Sequence, residues 1–335
     1  GALPLSEGDK VGFFGIGAQR SRYMYTGTGS GQLTYSGDDD IMSELNARGI
    51  NVNSNLWRIY TLLTASYGWG GVSASSAGVN DRNYGEYTIK EAPWSAIEDI
   101  DNSTFGGAVL ANYAGYKDAA IMLISRNGGE DRDVNFDPDG DNNLDGTYLD
   151  LSEAEADVLA HLDVLKQKNR IEKVILLINS ATPVQLMNIA KYDIDACVWV
   201  GMGGSTSAEQ IAGLLSGEVT PSGHLVDTWV YDTDSAPANE NFGDYTFASS
   251  TGLPPVYDYT HNDKYVVYQE GIYVGYRYYE TRYEDAVLGL GNATSAAGAY
   301  NSASGWTYGE EVAYPFGHGG SYASFLYSNF DVQTN

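Results

Sequence analysis

The most informative feature of this chain is the segment that runs from Ile124 to Asp133, which carries the carboxylic acid Glu130. The apolar residues before it predict a buried strand, and Gly128 and Gly129 separate that strand from the acid. In an open α/β sheet, ligands bind at loops that follow the carboxyl ends of strands. A carboxylic acid presented there on flexible glycines is well placed for proton transfer. A solvated acid paired with Arg126 or Arg132 is the alternative that these residues leave open.

The elements that would position this loop form a regular alternation up to about residue 230. Short apolar runs bounded by Gly, Asn or Ser predict strands at 11–15, 118–125, 173–179, 196–200 and 224–229. Helical patterns separate these runs. The alternation predicts an α/β fold with a doubly wound, mostly parallel sheet that is sandwiched by helices.

Three helix starts carry the spacing of a capping box, in which a hydroxyl and a later acid or amide satisfy free backbone donors. The pairs are Ser152 with Glu155, Thr182 with Gln185, and Thr206 with Glu209. Gly217 follows a leucine-rich run, where a left-handed helix cap is expected.

Beyond residue 230 the character of the chain changes, because helical periodicity fades and Tyr, Gly and Asn dominate. Residues 265–268 and 272–279 predict β or extended structure. We therefore expect a sandwich domain over 1–230, with residues 231–335 as an irregular strand and loop extension packed on the same domain.

Several stretches resemble, in order, the C-terminal α/β-sandwich domain of glycoside hydrolase family 3, the β-glucosidase and β-xylosidase family. They are residues 27–31, 124–133, 173–184, 199–204, 211–225, 268–279 and 314–322. The resemblance implies that Glu130 is the general acid/base of a retaining β-glycosidase, with a carbohydrate such as a β-glucoside as substrate and with no cofactor. Such an acid needs a raised pKa, to which the neighbouring Asp131 and Asp133 would contribute.

The chain departs from the family pattern in one respect. It has neither the Ser-Asp-Trp-like motif of the nucleophile nor the Lys-His sugar-binding pair, both of which belong to a (β/α)8 barrel domain. The resemblance therefore implies a barrel elsewhere in the same parent protein, and little or no activity for this chain alone. The alternatives are a non-catalytic carbohydrate-binding or scaffolding domain and, as a third reading, a nucleotide- or flavin-binding domain. Gly15 and Gly17 invite the last, but Arg20 stands where a third glycine is needed, so a tight turn is the prediction.

Composition excludes several classes of partner. The net charge is −26 with only 18 Lys and Arg residues, which argues against nucleic acid and anionic membranes. No membrane span and no signal peptide are expected from the apolar runs. The single cysteine, Cys197, excludes a disulfide framework and a cysteine-based zinc site, and we expect it to be a buried apolar side chain. Abundant Tyr, Gly and Asn with scarce Lys suggest an extracellular or cell-surface bacterial protein.

An acidic stretch from Asp137 to Asp145 has oxygen ligands at alternate positions, as a calcium loop does. The twelfth position is Tyr148 where a bidentate glutamate is needed, and Asn142 replaces the usual glycine. An acidic surface loop is the prediction, calcium binding is the alternative, and no metal ligand is assigned.

Overall fold

The computed structural model describes residues 1–19, 40–69, 89–112, 115–126, 148–204, 206–240, 245–246, 264–265, 268, 270–293, 306–326 and 328–333. The chain falls into two compact units. The first unit comprises residues 1–184, 188–223 and 319–335, and the second unit comprises residues 185–187 and 224–318. The division into domains 1–230 and 231–335 stays a prediction.

The strands and helices are numbered here in chain order. The strands are β1 Lys10–Phe14, β2 Asn51–Val52, β3 Gly68–Trp69, β4 Ile89–Lys90, β5 Ala119–Arg126, β6 Val174–Ser180, β7 Ala196–Trp199, β8 Trp229–Val230, β9 Tyr245–Thr246, β10 Lys264–Tyr265 and β11 Val312–Tyr314. The α-helices are α1 Ile41–Ala47, α2 Ser54–Leu63, α3 Trp94–Ile100, α4 Ala108–Ala111, α5 Glu153–Gln167, α6 Ser207–Ser216, α7 Pro237–Glu240, α8 Tyr276–Leu288 and α9 Tyr308–Glu311.

A five-stranded sheet with the order β2-β1-β5-β6-β7 forms the centre of the first unit. All neighbouring strands in it are parallel, so their carboxyl ends lie at one edge. Every residue of β5 and β6 is buried, as expected for a parallel sheet covered on both faces. Four of the predicted strands are confirmed to within two residues.

Helices cover both faces of this sheet. On one face, apolar side chains of α1 and α6 share a core with alternate residues of β1, β5 and β6; they include Ile41, Leu45, Ile211, Leu215, Val11, Phe13, Ile121 and Ile175. On the other face, the Phe14 ring stacks on Trp94 of α3 and meets the edge of Tyr60 of α2. The doubly wound α/β fold is therefore confirmed.

The structure confirms some of the predicted helix caps and contradicts others. Ser152 and Glu155 make both bonds of a capping box at the start of α5. Thr206 precedes α6 as predicted, but its side chain makes no capping bond. The helix predicted to follow Thr182 is wrong, since residues 181–186 form no helix. Gly217 ends α6 in the left-handed conformation, with φ 78°.

Two predictions for the later part of the chain are wrong. Residues 224–229 were expected to form a strand of the main sheet, but only Trp229 and Val230 are extended, and they pair with β11 in the second unit. Residues 272–279 were expected to be extended, whereas α8 begins at Tyr276. Cys197 is also exposed, on edge strand β7, rather than buried.

Candidate functional site

Glu130 and the acidic stretch from Asp137 to Asp145 lie outside the described residues. The same is true of Arg132 and of the glycine-rich residues 27–31. The residues on either side of the segment that carries Glu130, residues 127–147, are described. They are Arg126, the last residue of β5, and Tyr148, which lies just before α5. We call residues 127–147 the Glu130 segment.

Arg126 is the last residue of β5 and lies at the carboxyl edge of the parallel sheet. It is only 4% exposed, and its guanidinium donates to three backbone carbonyls, those of Ser125, Tyr148 and Asp150. The same group donates two parallel bonds of 2.7 Å to the carboxylate of Glu155. An arginine side chain has five N–H donors, and these contacts use all of them. The pairing of Glu130 with Arg126 that the sequence left open would have to displace one of these bonds.

The Glu155 carboxylate binds two partners, the backbone of Ser152 and the side chain of Arg126. Its carboxylate accepts from the backbone N–H of Ser152 at 2.9 Å, which completes the capping box of α5. It also forms the bidentate ion pair with Arg126, and both side chains are 3% exposed. Burial opposes the charge on Arg126, but the attraction to Glu155 and the hydrogen bonds outweigh it, so the pKa of Arg126 is raised. The guanidinium therefore stays charged and its charge is balanced by Glu155.

Asp150 is fixed from a second direction. Its carboxylate accepts from the side-chain amide of Asn188 and from the backbone N–H of Leu151. The Tyr148 ring lies beneath Arg126, with the guanidinium carbon 5.2 Å from the ring centroid. The exit of the Glu130 segment is therefore held by both backbone and side-chain contacts.

Glu91 is a second buried acid near the same edge. It accepts from the backbone N–H of Ile16, in the turn after β1, at 2.8 Å and from that of Ala92 at 3.0 Å. Burial raises the pKa of Glu91 to about 8, and the negative charge of Glu155 adds to that shift. A neutral carboxylic acid at pH 7 is thus built into the carboxyl edge of the sheet.

A polar chain links the ends of β5, β6 and β7. The Ser125 hydroxyl donates to the side chain of Asn179 at 3.1 Å, and the Asn179 amide donates to the carbonyl of Gly201 at 2.6 Å. A cavity of about 70 Å³ adjoins Asn179, lined also by Val200, Gly201, Gly203, Ser207, Gln210 and Ile211.

The sequence did not indicate the functions of Glu155 and Glu91. The capping-box spacing identified Glu155, but only as a partner of its own helix. Glu91 lies three residues before the start of α3 and has no pattern that marks it as buried. Long-range contacts of this kind are not visible in local spacing.

Among the described residues, no group of three or more His, Cys, Asp or Glu side chains is arranged to hold a metal ion. Within the same residues, no helix has the length and apolarity needed to cross a membrane.

Comparison with known proteins identifies the family. A family model described as the glycosyl hydrolase family 3 C-terminal domain matches residues 1–276. The chain belongs to glycoside hydrolase family 3. The resemblance seen in the motifs is thereby confirmed, and the family's C-terminal domain accounts for the parallel sheet.

Relatives within family 3 extend the match over nearly the whole chain. A β-glucosidase of Ruminococcus albus is 26% identical over 97% of this chain, and β-glucosidase A of Butyrivibrio fibrisolvens is 27% identical over 99%. The structure of β-glucosidase 3B from Thermotoga neapolitana in complex with glucose matches with a TM-score of 0.65, at 25% identity over 99% of this chain. The chain spans only 26% and 34% of the length of the first two proteins and 37% of the third.

Proposed function

We propose that this chain is the acid/base-bearing domain of a retaining β-glycosidase that hydrolyses O-glycosyl bonds, and that Glu130 is its general acid/base. The observation that carries the proposal is the family 3 match over residues 1–276, which includes the Glu130 segment. The segment begins at the carboxyl edge of the parallel sheet, where ligands bind in folds of this class.

The reaction would be a double displacement. Glu130 would protonate the leaving oxygen while an aspartate from a (β/α)8 barrel domain attacks the anomeric carbon and forms a glycosyl-enzyme. Glu130, now ionised, would then take a proton from the water that releases the sugar. The two carboxyl groups of a retaining pair stand about 5 Å apart, so the barrel would have to bring its aspartate close to Glu130.

The proposed substrate is a β-glucoside or a related carbohydrate, and the proposed partner is the barrel of the same parent protein. Support for both comes from the relatives, which carry the name β-glucosidase and are roughly three to four times as long as this chain. We also propose an extracellular or cell-surface location, which fractionation of the source cells with an antibody against this chain would test.

The test uses the full-length protein that contains this chain. We expect Glu130→Gln to lower kcat/KM on cellobiose about 10²–10⁴-fold, because a general acid contributes that much. The loss of kcat/KM should be far smaller with dinitrophenyl β-glucoside, since its leaving group departs without protonation, whereas kcat on that substrate should still fall because release of the sugar needs Glu130 as base. The matched control is Glu153→Gln, an exposed glutamate in the first turn of α5, which should leave both rates unchanged.

Activity near that of the wild type in Glu130→Gln would remove Glu130 from the mechanism. A parent protein without a barrel would favour the other hypothesis, a non-catalytic carbohydrate-binding or scaffolding domain, and sugar binding by the isolated chain in calorimetry would then support that function.

A further inference from the structure

The contacts of Arg126 connect two places in the chain that the Glu130 segment separates. Arg126 is the residue immediately before the segment, and two of its backbone acceptors, the carbonyls of Tyr148 and Asp150, lie directly after it. A single side chain therefore brings the entrance and the exit of the segment together.

Three features hold the Arg126 guanidinium in a fixed position. Arg126 is buried, so water does not compete for its donors. The bidentate bonds to Glu155 fix the plane of the guanidinium, because the two groups match as planar forks. Glu155 is itself fixed by the capping box at the first turn of α5, a helix of 15 residues.

We propose that Arg126 is a positioning residue for the glycosidase reaction, which sets the place of the Glu130 carboxyl by holding both ends of its segment; this rests on the function proposed above. Glu130 is four residues from Arg126, and four extended residues span at most about 14 Å. Arg126 therefore sets the point to which the acid is tethered along the chain. Misplacement of a catalytic group by about 1 Å can cost about 10²-fold in rate.

The variant that tests the positioning role of Arg126 must still fold. Arg126→Met alone would leave the charge of the buried Glu155 carboxylate without its partner, which is strongly destabilising. The double variant Arg126→Met/Glu155→Gln removes both charges, and glutamine at this position still completes a capping box. It releases the carbonyls of Ser125, Tyr148 and Asp150 in a protein that retains its helix start. Arg126→Lys keeps the charge but has three donors in place of five, so it should restore part of the effect.

The first measurement is made on this chain itself. Hydrogen–deuterium exchange of the peptide that covers residues 148–155 should become about tenfold faster in the double variant, since opening of this stretch becomes easier. Peptides from β6 should exchange as in the wild type. Arg48→Met is the control, because Arg48 is a partly buried arginine that pairs with the two glutamates Glu44 and Glu218 and lies at the end of α1, away from residues 148–155 in the chain.

The second measurement is made on the full-length protein. With cellobiose, kcat/KM should fall about 10²-fold in the double variant, and with dinitrophenyl β-glucoside kcat/KM should fall much less, because kcat/KM reports the step in which the leaving group departs. General loss of structure would lower both rates alike. Arg126→Lys should lie between the double variant and the wild type.

The outcomes separate this inference from the proposed function. If Glu130→Gln shows the leaving-group dependence and the double variant does not, Glu130 is the acid and the positioning role of Arg126 is wrong. If Glu130→Gln retains its activity, the proposed function fails and the positioning role fails with it. If both variants show the dependence and exchange of residues 148–155 is faster, the inference is supported.

Discussion

The carboxyl oxygen Oε2 of Glu91 lies 2.8 Å from the backbone nitrogen of Ile16, in the turn that follows the first strand of the sheet. The side chain is 6% exposed. An acid in this position can accept hydrogen bonds from the turn, but its ionised form loses its hydration. Its protonation is therefore coupled to folding.

We predict a stability that depends on pH through Glu91. The pKa is 4.5 in the unfolded chain and about 8 in the folded protein, so the folded state holds one more proton between these values. Its contribution is fully present below pH 4.5 and is lost as the pH rises through 8, amounting to several kcal/mol. Urea denaturation at a series of pH values should show that the wild type loses stability relative to Glu91→Gln as the pH rises from 4.5 to 8, because glutamine does not titrate.

The control for this experiment is Asp99→Asn, an exposed acid at the end of α3. The difference between that variant and the wild type should be small at every pH. A Glu91→Gln difference that does not vary with pH would show that Glu91 titrates normally.

The turn after β1 predicts a severe effect of Gly15→Ala. Gly15 has φ 104°, and a Cβ there would lie 2.2 Å from the carbonyl oxygen of Leu123 in β5. Because backbone cannot move aside as a side chain can, we expect a loss of about 2–4 kcal/mol in the free energy of unfolding. Gly115→Ala, where a Cβ meets nothing within 4 Å, should change stability by a few tenths at most.

The capping residues of α5 and α6 form a natural pair for mutation. Ser152 accepts from the backbone N–H of Glu155, whereas the Thr206 side chain makes no such bond. Ser152→Ala should therefore cost about 1 kcal/mol and Thr206→Ala less than half of that. Equal losses in urea denaturation would contradict the hydrogen-bond assignment at Ser152.

The polar chain at the strand ends predicts energetic coupling between Ser125 and Asn179. Their side chains are 3.1 Å apart and buried, so each single substitution by alanine leaves the other partner without its bond. In a double-mutant cycle we expect an interaction free energy of about 1 kcal/mol. Strictly additive losses would show that the two side chains contribute independently.

The sheet was predictable because its strands are buried on both faces. A parallel strand such as β5 is apolar along its whole length, and such a run is visible in the sequence without any knowledge of its neighbours. Once the strands are known, only a few strand orders and placements of the covering helices remain possible. Fold class and the ends of four strands were obtained in this way.

Helix α8 was not predicted because its buried face includes charged residues. The buried positions Tyr278, Tyr279, Arg282 and Asp285 follow helical spacing, but two of them are charged. Arg282 is accommodated by the face of Trp306, 4.6 Å away, and Asp285 accepts from the backbone N–H of Ala293 at 2.7 Å. A search for apolar residues at helical spacing does not find such a face. The tyrosines instead favour a strand, because aromatic residues are enriched in strands.

The site was predictable only in part for a related reason. The resemblance to family 3 indicated Glu130, whose role stays a prediction, and local spacing indicated the capping role of Glu155, but the ion pair with Arg126 joins residues 29 positions apart in the chain. The buried state of Glu91 depends on a turn 75 positions away. Contacts at such separations are set by the assembled sheet.

The acceptors that Arg126 uses at residues 148 and 150 are main-chain oxygens, which every amino acid possesses. These two bonds would therefore persist whichever side chains stood at positions 148 and 150. An exchange of residues 127–147 for the matching residues of another family 3 protein is expected to leave both bonds in place, provided that Arg126 and Glu155 stay.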